Sequence, residues 1–150
     1  MPNIDEHAVS VLNSLIETTL DSADGYGKAA ERADNPQFQR LFSDRAASRR
    51  LLCQQLKAEV RSFGGEPKDD GSILGRAHRA FVELRDRVAG HDDKAVIAEV
   101  ERGENLIRNK FEQAAHDRSL PEDARQMLER AYSSIKADHD EVSAFKHGMN

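Results

Sequence analysis

A chain of 150 residues with a net charge of -5 and a pI near 5.7 has the length of one ordinary domain and lacks the basic excess that a nucleic-acid surface needs. No uninterrupted apolar run approaches the roughly 20 residues of a membrane span, so no membrane partner is expected. Composition is 33% charged and 5% aromatic with no Trp, which suits long amphipathic helices with solvated outer faces better than a sheet.

Met1 to His7 show neither a basic region nor an apolar run of the secretory kind. The lone Cys53 excludes an internal disulfide and fits a reducing compartment. A cytoplasmic location is the expectation. Asn3 with Glu6 reads as a capping box that opens a first helix over about 4–33. Its apolar face carries Ala8, Leu12, Leu15, Ile16, Thr19, Ala23, Tyr26 and Ala30, with Gly25 and Gly27 flanking Tyr26. Glu17, Asp21 and Asp24 fall on the opposite, solvated side. Asp34-Asn35-Pro36 stops this helix and starts a second over about 36–63, which ends at Gly64-Gly65. Its face is Phe38, Leu41, Phe42, Leu52, Leu56, Val60 and Phe63. Arg45 and Arg49 sit in the middle of that face. Either their stems pack while the guanidinium groups reach solvent, or they are buried partners of an acid.

A polar link containing Pro67 leads to a shorter helix expected over about 73–89, with His78 on its apolar side. A histidine there reads more readily as a hydrogen-bonded packing residue than as a ligand. Gly90 closes it, and Asp92 or Asp93 opens the next helix, about 93–117. In that helix Val96, Ile97, Val100, Ile107, Phe111, Ala114 and Ala115 recur at helical spacing, and Glu104 falls inside the stripe. A carboxylate there must be paired, protonated or bound to a cation, because a lone buried charge is too costly. Ser119 with Glu122 reads as a capping box for a last helix, about 120–146, with Ala124, Leu128, Ala131, Tyr132, Ile135, His139 and Val142 inward.

The four long helices each span roughly 38–46 Å. Short turns join the first pair and the last pair, and a long link joins the pairs. The expected fold is all-α, a single four-helix-bundle domain over 1–150 with a long crossover between the second and third helices that carries the additional short helix. In that topology the second and third helices run parallel, which places Arg49 and Glu104 near mid-height on adjacent faces of neighbouring helices and predicts a forked pair between them. Thr19, Arg45, Arg49, Glu104, Asp138 and His139 then fall near one central polar layer.

This layout resembles the ferritin-like superfamily. More closely, the chain over about 6–147 is similar to a bacterial family of four-helix-bundle proteins placed in that superfamily, which has no established activity. The resemblance rests on the crossover stretch that includes Gly71, Ser72, Gly75, His78 and Arg79, and on Arg102-Gly103-Glu104 in the third helix. Di-iron relatives take one Glu from each of two helices and a Glu-x-x-His from each of the others. Here the first helix offers Thr19 and Ala23, the second Arg45 and Arg49, and the fourth His139 preceded at three residues by Lys136. Only Glu104 and His139 remain of that ligand set.

The leading expectation is therefore a non-catalytic bundle with a degenerate di-iron site and no cofactor, acting through assembly or partner binding, with a homodimer or higher homo-oligomer expected. The alternative is a metal-binding or redox protein that uses Glu104 and His139 to hold iron, manganese or zinc. A third reading is a small-molecule or cofactor binder in the bundle core.

Overall fold

The computed structural model describes residues 4–68 and 92–148. The expected crossover helix over 73–89, with Gly71, Ser72, Gly75, His78 and Arg79, lies outside the described residues. Among those described there are four α-helices and no strand: α1 Glu6–Arg32, α2 Pro36–Ser62, α3 Asp93–Ala115 and α4 Glu122–Gly148. None is long and apolar enough to cross a membrane.

The first three helices start where a side chain satisfies one of the free N–H groups of the first turn. The Asp5 carboxylate accepts from Ala8 N–H at 3.0 Å and caps α1; Asn3, expected to do so, lies outside the described residues. Asn35 accepts from Gln37 N–H at 2.9 Å, and Pro36, which has no N–H to lose, opens α2. Asp92 accepts from Lys94 and Ala95 and opens α3. The expected capping box of Ser119 is replaced by a different device. Asp117 folds the turn by accepting from Ser119 N–H at 2.9 Å, its carbonyl accepts from Leu120, and α4 starts two residues later than predicted, at Glu122. The acidic Glu122 and Asp123 then complement the N-terminal end of the helix dipole.

The end of α2 needs glycine twice, for two reasons. Gly64 has φ 84°, which L side chains rarely adopt. A Cβ on Gly65 would stand 2.6 Å from both Val9 methyl carbons of α1, so the chain can pass α1 only without a side chain there. Beyond it, Asn13 donates to Glu66 O at 3.1 Å and accepts from Lys68 N–H at 2.9 Å, which lays the segment along α1.

Close packing joins α1 to α2, α3 to α4, and α1 to α3. The ends fix the directions. Asp93 at the start of α3 accepts from Asp34 and Asn35 N–H in the α1–α2 turn, at 2.7 and 3.1 Å. His7 at the start of α1 pairs with Asp117 just beyond α3 at 2.7 Å. So α1 and α3 are antiparallel neighbours, whereas α2 and α3 run parallel and face each other across the core. The sequence argument had placed Arg49 and Glu104 on adjacent faces. They meet instead across the interior, because α1 occupies the place beside α3.

The core has two parts. One gathers Leu12, Leu15, Ile16, Leu56, Ile107, Phe111, Leu128 and Ile135, and the other Tyr26, Ala29, Phe42, Ala46, Val96, Ile97 and Val142. Each fully buried Leu, Ile or Phe contributes about 1.5–3 kcal/mol relative to exposure. On every helix the switch between the two parts falls at a polar residue or beside one: Ser22 on α1, Arg49 on α2, Glu104 on α3 and Asp138 on α4.

Candidate functional site

That switch point is a layer of charge through the middle of the bundle. Arg49 is 1% exposed, and so is Glu104. The Arg49 guanidinium donates through Nη1 to Glu104 Oε1 at 2.6 Å and through Nη2 to Oε2 at 2.9 Å, a two-bond fork whose planar geometry only arginine supplies. Nη1 also donates to Ser22 Oγ at 2.7 Å, and Nη2 to Asp138 Oδ2 at 3.2 Å. One guanidinium on α2 thus ties together all three of the other helices.

Arg45, one helical turn earlier on α2, extends the layer. It donates to Tyr26 Oη at 3.3 Å and to Glu141 Oε1 at 3.0 Å, and its Nε lies 3.5 Å from Asp138. Both guanidinium carbons sit over the Tyr26 ring, Arg49 at 5.3 Å and Arg45 at 5.6 Å from its centroid. A positive group against an aromatic face is attractive, most of all where water is excluded. Thr19, also inward, is fully buried, and its hydroxyl has no hydrogen-bond partner among the described residues.

His139 stands apart from this layer. Its side chain is 12% exposed, and it turns toward Asn105 and Asp140: Nε2 bonds Asn105 Oδ1 at 2.5 Å and Nδ1 bonds Asp140 Oδ1 at 3.1 Å. It shares no hydrogen bond with Glu104, whose recorded bonds all go to Arg49. Of the two neighbours it is Asp138, on the face shared with Ile135 and Val142, that reaches Arg49 and Arg45. Among the described residues no three His, Cys, Asp or Glu side chains gather as metal ligands would.

Burial works to lower the Arg49 pKa, but the hydrogen bond and charge of Glu104, with Tyr26 and Asp138, hold it above the ordinary arginine value. Arg45 is raised too: burial opposes the shift, and Tyr26, Asp138 and Glu141 outweigh it. The layer is therefore permanently cationic on α2 and is matched by carboxylates on α3 and α4. Burial, reinforced by the charge of Glu104, pushes the Tyr26 phenol far above its usual value, against the lowering pull of Arg49 and Arg45. A group raised in the folded state contributes in full below its unfolded pKa, about 10 for tyrosine, and loses that contribution as pH climbs toward the folded value. Tyr26→Phe should therefore flatten part of the fall in unfolding free energy above about pH 10. Urea unfolding across that range measures it, and identical alkaline slopes for both proteins would mean that Tyr26 ionises freely when folded.

Two partners of the site were missed in the sequence. Glu141 lies three residues after Asp138, so the two acids share a face of α4 opposite the arginine pair on α2. Ser22 lies three residues after Thr19, on the same flank of α1. Both spacings were readable as helical neighbours.

The fold has a known counterpart. A mutant of Dps1 from Mycobacterium smegmatis superposes with a TM-score of 0.76 over 94% of this chain and 95% of that one, at 12% identity, which is a likeness of fold alone. The architecture is thus a ferritin-like four-helix bundle. No curated protein matches the sequence. The sequence profile of a domain of unknown function, DUF2383, matches residues 7–117, which contain α1 but for its first residue, all of α2 and α3, and both partners of the central pair. The chain belongs to the DUF2383 family.

Proposed function

We propose that this protein is a non-catalytic ferritin-like bundle whose di-iron site has degenerated into an ion-pair layer, and that it acts through assembly or partner binding. One observation carries the reading. The guanidinium of Arg49 is forked to Glu104 in the mid-bundle layer, where ferritin-like di-iron proteins gather their carboxylates and histidines. Arg45 adds a second fixed positive charge to that layer, which works against a dication. Glu104 and His139 each hold other partners, so the residues present do not fit a di-iron centre. For assembly, the supporting feature is the exposed large apolar side chain Leu51 on α2, and the isologous dimer is the commonest way to cover such a surface.

Protein purified without added metal should carry well under one equivalent of iron, manganese or zinc per chain and should oxidise ferrous iron no faster than buffer. Sedimentation at micromolar to submillimolar concentration should find a dimer or larger species. Tight stoichiometric metal lost in Glu104→Ala would sink the degenerate-site reading, and a monomer throughout would sink the assembly.

A further inference from the structure

A cleft of about 280 Å³ opens between α1 and α3, just below the size range of about 300–1,000 Å³ usual for ligand pockets. Its walls are mostly apolar: Tyr26, Ala29, Val96, Val100 and Leu106 contribute. Glycines line it on both helices, Gly25 on α1 and Gly103 on α3, and a Cβ added at either meets nothing within 4 Å. Glycine disfavours a helix interior, and neither of these is needed for packing or for an unusual backbone angle. Their effect is to leave the space between the helices open.

The charges around the cleft are one-sided. Asp21, Asp24, Glu99 and Glu104 line it against a single base, Arg102. Glu104 is satisfied by Arg49, Arg102 donates to Glu99 at 3.0 Å, and Asp21 is not without a partner either. Asp24, half-buried at the edge of the cleft, makes no hydrogen bond or ion pair within the described residues. An apolar slot with an unmatched carboxylate at its edge selects a ligand with an apolar body and a positive end.

We propose that the α1–α3 cleft is a binding site for a small organic cation, an aryl or alkyl ammonium, whose apolar body lies between Gly25 and Gly103 and whose ammonium pairs with Asp24. The site does not depend on what became of the metal layer. It uses the opposite side of α3 from His139 and asks nothing of Arg49 beyond keeping Glu104 compensated.

The test is a titration of the full chain with 2-phenylethylammonium, followed by amide chemical shifts, with 3-phenylpropionate as the anion of matching body. Saturable shifts confined to the amides around Gly25, Val100 and Gly103 are expected with the cation, and binding of the anion should be at least about tenfold weaker. Asp24→Asn should weaken the cation by about tenfold. Gly103→Leu should abolish binding by filling the slot. It removes a helix-disfavouring residue at an exposed position, so a retained melting transition shows that the loss is not one of folding. Gly103→Ala, which adds only a methyl, should keep a measurable affinity. Equal binding of cation and anion, unchanged affinity in Gly103→Leu, or a cleft closed by a second copy of the chain would each overturn the assignment.

Discussion

Glu104→Ala and Arg49→Ala should each lower the free energy of unfolding by about 3–5 kcal/mol, because either change strands a buried charge. The two losses should differ in a definite direction. After Glu104→Ala the guanidinium keeps Ser22 and Asp138. After Arg49→Ala the Glu104 carboxylate loses both bonds of the fork while remaining beside Tyr26 and Val100. Arg49→Ala should therefore be the more damaging. The double mutant should cost clearly less than the sum, since the charge stranded by each single change is gone. Arg49→Lys should recover only part of the loss, because a single ammonium cannot make the two-bond fork. Glu104→Gln should cost less than Glu104→Ala, since the amide still hydrogen-bonds. Chemical denaturation of the five variants measures all of this. Additive single losses, or a cost below about 1 kcal/mol for Glu104→Ala, would remove the pair from the centre of the bundle.

Phe42→Ala should cost about 3–5 kcal/mol as well, by a different route. Phe42 is fully buried and holds an aromatic group together. Its ring centroid lies 5.9 Å from that of Tyr26 and 6.0 Å from that of Phe38, and Phe38 meets Phe145 of α4 edge-on at 5.4 Å. Truncation leaves a cavity in the smaller of the two core parts, to which all four helices contribute. It also removes a wall that holds the Tyr26 ring under both guanidinium groups. The effect should therefore reach the charged layer: the excess cost of Arg49→Ala should shrink in the Phe42→Ala background. Phe42→Leu, which keeps most of the volume, should cost under about 1.5 kcal/mol. If Phe42→Ala and Phe42→Leu melt alike, the aromatic group is not what packs this end.

The four long helices were legible because apolar residues recur at helical spacing and the starts of the first three carry a capping side chain. Asn35-Pro36 and Asp92 mark their boundaries within a residue. Glu104 and Arg49 were legible as a pair because each interrupts an apolar stripe, and a stripe tolerates a charge only with an opposite charge to meet it. Which helices stand side by side was not legible. Helical periodicity says which face is inward but not which neighbour that face meets, so α2 and α3 were placed next to each other when they are opposed. Which partners His139 takes was not legible for a related reason. It borders the inward face of α4, and the choice between it and Asp138 turns on which side chain reaches a guanidinium that only the folded bundle positions. The acids Asp138 and Glu141 answer Arg45 and Arg49 as two short rows of opposite sign, a pattern that becomes meaningful once α2 and α4 are known to run antiparallel.

The central pair joins residues 55 positions apart, one from each helical hairpin. An apolar interface alone defines the height at which two hairpins dock only loosely, because leucine and isoleucine can meet at neighbouring turns with little penalty. The fork does not share that tolerance. A hairpin displaced by one turn, about 5.4 Å, would in one direction bring Glu104 level with Arg45 and leave Arg49 without its fork, and in the other carry Glu104 past both guanidinium groups; either way a buried charge is stranded at several kcal/mol. The same holds if one hairpin docks upside down, since Arg45 and Arg49 would then meet the acids of α4 in the wrong order. The charged layer thus acts as a key for vertical register: it adds little to how tightly the hairpins hold, and it decides the single height and orientation at which they can.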